Sequence, residues 1–386
     1  YTPATTLFST LQQAEHRIKT GYGVSVPMYG NEETPIQGSG QGNGFAPTVW
    51  GLISCKMIAM MKLKGHGAKF EAALSRKLLS IVCCAYVDDS DLPQSAATRT
   101  TTGEELQIPF QDMLNRWAGA LRATGGELAP EKSWCYITDF KWTGDEWDYR
   151  TIDEMPGNYT LPDNSGNTHP LKRLEVWEGS KTLGIPIAVD GTQADAYDQL
   201  FTKSHEYRTK LSRRTVEPNT ATYAFKSCFM KGLEYGMAVT SFDNKEWITI
   251  VKEAKNQTLN SSGISKGLPR AILYSPHEFN GLNFEDPYIK QSLTKLSSYI
   301  QESVKSSQTG DFFTAVREGT IQDHGFPAPL DDHWKKAELC TTPSWFDHLS
   351  SFLSTLNKDK KVLEIIEDIP VISLPRHEDQ FIMKAF

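Results

Sequence analysis

The chain has little of what a secreted, disulfide-stapled scaffold needs. Its six cysteines (Cys55, Cys83, Cys84, Cys135, Cys228 and Cys340) are scattered over 386 residues and form no Cys-x-x-Cys pair. That spacing excludes a zinc ribbon or a thioredoxin-like redox motif. All six are expected to be reduced and mostly buried, in an intracellular compartment, nuclear or cytoplasmic. No run approaches the roughly 18–20 apolar residues of a membrane span, and no signal peptide stands at the start. Positive charge is also scarce: 40 Lys and Arg against 47 Asp and Glu give a formal net charge of −7. A chain coated with phosphate-binding cations is excluded, and only a local basic groove is left open. The nine histidines show no metal-ligand spacing, and His66 stands alone between two glycines. No solenoid repeat and no low-complexity segment is visible. The most pointed absence is aspartate, which does not occur before Asp88. A start at Tyr1 rather than Met suggests a fragment or a processed product.

What is present is ordinary for a globular protein, with 39% hydrophobic and 23% charged residues. Leu7, Leu11, Ala14 and Ile18 predict a helix over 4–19, with a short strand over 24–29 after it. A glycine-rich turn region, 30–44, leads into a buried helix over 46–63, with Pro47 tolerated in its first turn. The run 78–87 reads as a buried strand, Asp88-Asp89 as its turn, and Asp91-Leu92 as the return. Leu106, Phe110, Met113, Leu114, Trp117 and Leu121 predict an amphipathic helix over 104–123, stopped by Thr124-Gly125-Gly126. Paired strands are expected over 133–142 and 145–151, a hairpin around 163–166, and a strand over 181–189. From 193 to about 263 the pattern is helical in three segments. A loop is expected over 276–287, and further helices over 288–305 and 345–356.

Three features carry candidate chemistry. Tyr86-Val87-Asp88-Asp89 puts two carboxylates at a hairpin tip, where paired negative charges call for a cation, and Mg2+ is the hard ion that oxygen ligands suit. The plain alternative is a polar turn. Gln41-Gly42-Asn43-Gly44 runs into an apolar helix, so that glycines permit close approach and a helix N-terminus favours an anion. The plain alternative is a flexible loop. Pro130-Glu131-Lys132-Ser133 follows a glycine turn, and taken alone Lys132 is a surface lysine.

In order and spacing these features, closed by Thr182-Leu183-Gly184-Ile185, resemble motifs B, C, D and E of the reverse-transcriptase palm. The resemblance covers 37–189. Leu268-Pro269-Arg270, Pro276 and Gly281-Leu282 resemble the region beyond the thumb in non-LTR retroelement polymerases. Gln41-Gly42-Asn43-Gly44, Ala123-Thr124-Gly125-Gly126 and Asp139-Phe140-Lys141-Trp142 resemble reverse-transcriptase-like reading frames of algal, especially diatom, retroelements. The resemblance implies an α+β chain: a palm with partial fingers elements over 1–190, a helical thumb-like domain over 191–275 and a C-terminal helical and loop extension over 276–386. It implies an RNA-directed DNA polymerase acting on an RNA template, a DNA primer and deoxynucleoside triphosphates, with Mg2+ held by Asp88 and Asp89. Lys132 would stand near the leaving pyrophosphate as a general acid. Gln41, Gly42 and Tyr86 would contact nucleotide and template, and Leu183 and Gly184 would belong to the primer grip. The upstream aspartate of motif A has no counterpart here, and so the fingers and that motif are expected outside this chain, which by itself would be inactive. The competing reading is a non-catalytic palm remnant serving a larger assembly. Lys203, Arg208, Lys210, Arg213 and Arg214, against the single acid Glu206, suit phosphate contacts on a thumb helix, or simply a solvated helix face. The tryptophans are expected in core and sheet packing rather than as base-stacking platforms.

Overall fold

The structure, a computed structural model, describes residues 13, 15, 17–30, 46–98, 101–163, 165–305, 307–324, 345–358 and 363. The chain forms two compact units: 1–68 with 80–174, and 69–79 with 175–386. Helices and small sheets are mixed, which makes the class α+β. The described strands pair only in twos, in seven two-stranded sheets. Among the described residues no helix is long and apolar enough to cross a membrane.

In the first unit two helices supply the core. Ala46–Leu63 keeps the expected bounds but is not buried throughout. Its Met57 and Met61 are buried, whereas Leu52 and Leu63 lie in solvent. Gly103–Ala123 begins with a capping box: Thr102 Oγ1 accepts from the Glu105 amide at 3.2 Å, and the Glu105 carboxylate accepts from the Thr102 amide at 2.9 Å. The helix ends at Thr124, and Gly125 takes the left-handed φ of 85° that glycine adopts without strain. Met57, Met61, Val82, Met113 and Trp117 close one apolar cluster. Leu114, Cys135, Ile137, Met155, Tyr159, Leu161 and Leu171 close another.

The strands of this unit are shorter than their sequence pattern suggests. The 78–87 run breaks into Leu78–Ile81 and Cys84–Tyr86, and only Leu79 and Val82 in it are buried. The expected 24–29 strand is instead a two-residue pairing of Lys19–Thr20 with Gly23–Val24, and most of the 4–19 helix lies outside the described residues. Phe140–Trp142 and Trp147–Tyr149 pair as expected, and Thr160–Pro162 with Thr168–Pro170 makes the hairpin around 163–166. Trp134–Cys135, however, pairs in parallel with Lys172–Arg173, a partner far along the chain. The cysteines also differ from expectation. Those described are free, but only Cys135 is buried, while Cys55, Cys84 and Cys228 are exposed because they lie on solvent-facing sides of their elements.

The second unit is mostly helical, with a short hairpin of Ser180–Thr182 and Ile185–Ile187 near its start. Ala194–Ser212 packs along Asn244–Ser261, which carries its own capping box through Asp243 and Glu246. Between them Pro218–Ala224 runs through a π-turn, Phe225–Phe229, into Met230–Glu234. The wide turn keeps Phe225 and Phe229 both in the core, beside Leu233, Phe242, Trp247 and Ile250. The 276–287 segment contains a 3-10 turn, His277–Phe279, and Asp286 caps the helix Pro287–Val304. Trp345–Leu356 matches the expected helix, whereas Gln308–His324 was not marked by the apolar pattern. Glu318 on that helix accepts from the amides of Leu74 and Ser75, both at 2.8 Å, and so ties the 69–79 loop to this unit.

Candidate functional site

The Tyr86-Val87-Asp88-Asp89 segment is a two-residue hairpin. Tyr86 pairs with Asp89, Ala85 with Ser90 and Cys84 with Asp91, which leaves Val87 and Asp88 as the turn. Val87 has φ of 57° while Asp88 is not in the left-handed region. Hairpin turns of this kind put glycine at that first position. A β-branched residue there is strained, at a cost on the order of 1–3 kcal/mol, and such strain concentrates at functional sites. The indole Nε1 of Trp50, one turn into the Ala46–Leu63 helix, donates to the Val87 carbonyl. The helix that follows the Gln41–Gly44 segment is thus fastened to the hairpin tip. Val82, at the root of the hairpin, sits in the cluster that this helix shares with Met113 and Trp117.

Alternation along the strands puts Cys84, Tyr86, Asp89 and Asp91 on one face, with Ala85 and Ser90 on the other. Tyr86, Asp88, Asp89 and Asp91 are exposed as residues. The Asp91 carboxyl is nevertheless partly shielded. That shielding, and then the charge of Asp89, hold it above the ordinary carboxylate range. Burial, then Cys84 and Asp91, pushes the Cys83 thiol up to about 12, and burial with Asp91 raises Cys84 as well. Both thiols therefore stay protonated near neutral pH and are poor nucleophiles. The face is a concentration of negative charge with no cation paired to it among the described residues, able to attract a hard cation. Asp91 was read from the sequence only as the start of a strand. The signal that could have singled it out is its two-residue offset from Asp89, which in a strand means the same face.

The other expected residues fall as follows. Gln41 and Gly42 lie outside the described residues. Lys132 ends a 3-10 turn, Pro130–Lys132, and is exposed. Leu128, earlier in the same loop, packs against the cluster of Met113 and Trp117, as does Leu92 at the end of the Asp89–Asp91 strand. Leu183 and Gly184 are the two-residue turn of a hairpin in the second unit, with φ of 52° and 88°. The Gly184 carbonyl accepts from Gln199 at 3.2 Å. Lys203, Arg208, Lys210, Arg213 and Arg214 are all exposed on and just beyond Ala194–Ser212. Lys203 and Lys210, seven residues apart, share a face, and Lys210 meets Glu206 at 3.1 Å. Arg213 and Arg214 stand at the helix C-terminus, where the macrodipole also favours them.

Among the described residues no group of three or more His, Cys, Asp or Glu side chains is arranged to hold a metal ion. The carboxylates of Asp88 and Asp89 fit Mg2+ by donor type, but a two-metal centre needs a further carboxylate from another strand. No family model matches this chain, and no curated protein matches it.

Proposed function

We propose that this chain is the palm-bearing part of an RNA-directed DNA polymerase of a retroelement. The observation that carries the reading is the strained, exposed Tyr86–Asp89 turn, clamped by Trp50 from the helix that follows the Gln41–Gly44 segment. The helix that follows one of the segments the resemblance assigns to the nucleotide site thus reaches the turn that is the other, far away in sequence. Asp88 and Asp89 would hold Mg2+, which in such a site activates the attacking oxygen and stabilises the leaving one. Val87 and Trp50 fix the backbone that presents the carboxylates. Lys132 is available to a leaving phosphate as a proton donor, and the cations of 203–214 to the backbone of a template-primer duplex.

A second reading, a palm remnant without catalysis, rests on the sequence, which has no aspartate before Asp88. Primer extension on an RNA template with Mg2+ separates the two. The comparison is among this chain, a chain extended upstream through its reading frame, and the extended chain with Asp88→Ala. Extension by the longer chain alone, abolished by Asp88→Ala, is the expected outcome. A folded, template-binding longer chain that never extends a primer moves the reading to the remnant. Activity that survives Asp88→Ala removes the hairpin from the chemistry.

A further inference from the structure

The hairpin of Phe140–Trp142 and Trp147–Tyr149 takes no part in the function proposed above. Its register pairs Phe140 with Tyr149, Lys141 with Asp148 and Trp142 with Trp147. Alternate residues of a strand share a face, so one side of this ribbon consists of four aromatic rings. They meet as two cross-strand pairs, with ring centroids 4.8 Å apart for Phe140–Tyr149 and 5.4 Å for Trp142–Trp147. Such pairs steady an isolated hairpin. Steadying it does not require the outer ring faces to remain in water, yet Phe140 is 49%, Trp142 54% and Trp147 67% exposed. These two tryptophans pack across the sheet, as expected, but not in a core, unlike the buried Trp117 and Trp247.

The charge around the rings decides what they suit. Both nearby cations are already engaged, Lys141 with Glu154 at 2.6 Å and Arg150 with Asp139 at 3.2 Å. Asp145 and Glu146, in the turn that joins the strands, and Asp148, on the reverse face, have no cation partner among the described residues. A stacking platform for single-stranded nucleic acid pairs its rings with positive charge that follows the phosphates. This hairpin has the opposite sign, with Asp145, Glu146 and Asp148 in it. Exposed aromatic rings on an acidic hairpin attract guanidinium and ammonium groups, with tryptophan the strongest partner.

We propose that this aromatic face docks an arginine- or lysine-rich peptide segment of a partner protein. Its cationic groups stack on Trp142 and Trp147 while Asp145 and Glu146 neutralise them. The inference stands independently of the polymerase reading. The test is fluorescence anisotropy of labelled nona-arginine titrated with the full chain, with a short oligothymidylate as the competing probe. Saturable peptide binding is expected. W142L/W147L, which keeps apolar bulk without the ring faces, should weaken it about tenfold. W142F/W147F should stay within about threefold of the unaltered chain. D145N/E146Q leaves rings and register intact, so that a melted hairpin cannot explain its effect, and it should weaken binding several-fold. Peptide binding unchanged in either the leucine or the amide variant overturns the proposal. So does oligothymidylate binding to this face more tightly than the peptide, or an absence of saturable peptide binding.

Discussion

The two units differ in how deeply they bury their side chains. The unit of 175–386 buries large side chains deeply: Trp247, Phe242, Leu233 and Ile250 are almost wholly removed from solvent. The unit of 80–174 spreads its apolar residues over two thinner clusters and hangs hairpins from them. Its best candidate site, Tyr86–Asp89, is exposed, strained and acidic. The contrast is physically reasonable. A hairpin with carboxylates at its tip gains little from burial and must be held from behind. A helical bundle with aromatic interiors can absorb a difficult residue, and Lys295 is such a residue. Its side chain is fully buried, its amine donates to Ser241 Oγ, and it lies 5.2 Å from the centre of the Trp345 ring.

Substitutions should separate the units, beginning with the largest effect. Trp247→Ala removes a fully buried indole and should destabilise the helical unit by about 3–5 kcal/mol in denaturant unfolding followed by far-UV circular dichroism. If the hairpin unit lost as much as the helical one, the contrast drawn here would fail.

Lys295 sharpens the comparison through pH. Burial lowers its pKa from 10.5 to about 7. The folded value lies below the unfolded one, so between about 7 and 10.5 the unfolded chain holds the extra proton and stability rises with pH. Below about 7 the penalty is complete. His348 on the facing helix is lowered to about 4, by burial first and then by the charge of Lys295, so it adds a loss of stability as pH falls from 6.5 toward 4. The polar groups around the pair are Ser241, Gln291 and the Phe242 carbonyl, with Asp243 the nearby acid. Lys295→Met should raise stability by a few kcal/mol at pH 7 and flatten the rise between pH 7 and 10. A Met variant that still gains stability with pH over that range assigns the effect elsewhere.

Smaller effects test the hairpin unit. Val87→Gly relieves the left-handed strain and should raise the melting temperature slightly, an effect on the order of 1 kcal/mol. Thr102→Ala removes one half of the capping box and should cost about 1 kcal/mol. Lys210→Ala breaks an exposed i,i+4 pair in the helical unit and should leave unfolding nearly unchanged. On the proposed polymerase reading it should also weaken template-primer binding, by less as salt rises.

Much of this organisation is local and could be read along the chain. The 46–63 and 103–123 helices, the hairpin around 163–166 and the three helical segments from 194 to 261 follow from periodicity, glycine and proline. The turn expected at Asp88-Asp89 falls one residue earlier, at Val87-Asp88, because Asp89 pairs with Tyr86 as the first residue of the return strand. The two capping boxes were also spelled out in Thr102-x-x-Glu105 and Asp243-x-x-Glu246, though they went unread. Gln308–His324 escaped because Thr, Gly, Asp and Glu interrupt its apolar stripe, and packing rather than pattern makes it a helix.

What the sequence determined by itself was therefore the set of nearest-neighbour choices: where helices begin and end, where the chain turns, and which residues alternate across a strand. The tertiary structure alone decided the rest. It paired Trp134–Cys135 with Lys172–Arg173, turned Trp142 and Trp147 to solvent, buried Lys295 with no carboxylate partner among the described residues, and fastened Trp50 to Val87. The reason is that hydrogen-bond propensity and turn geometry act over a few residues. Burial, strand partnership and backbone strain depend on which distant segments arrive beside a residue, and composition around that residue does not encode their arrival.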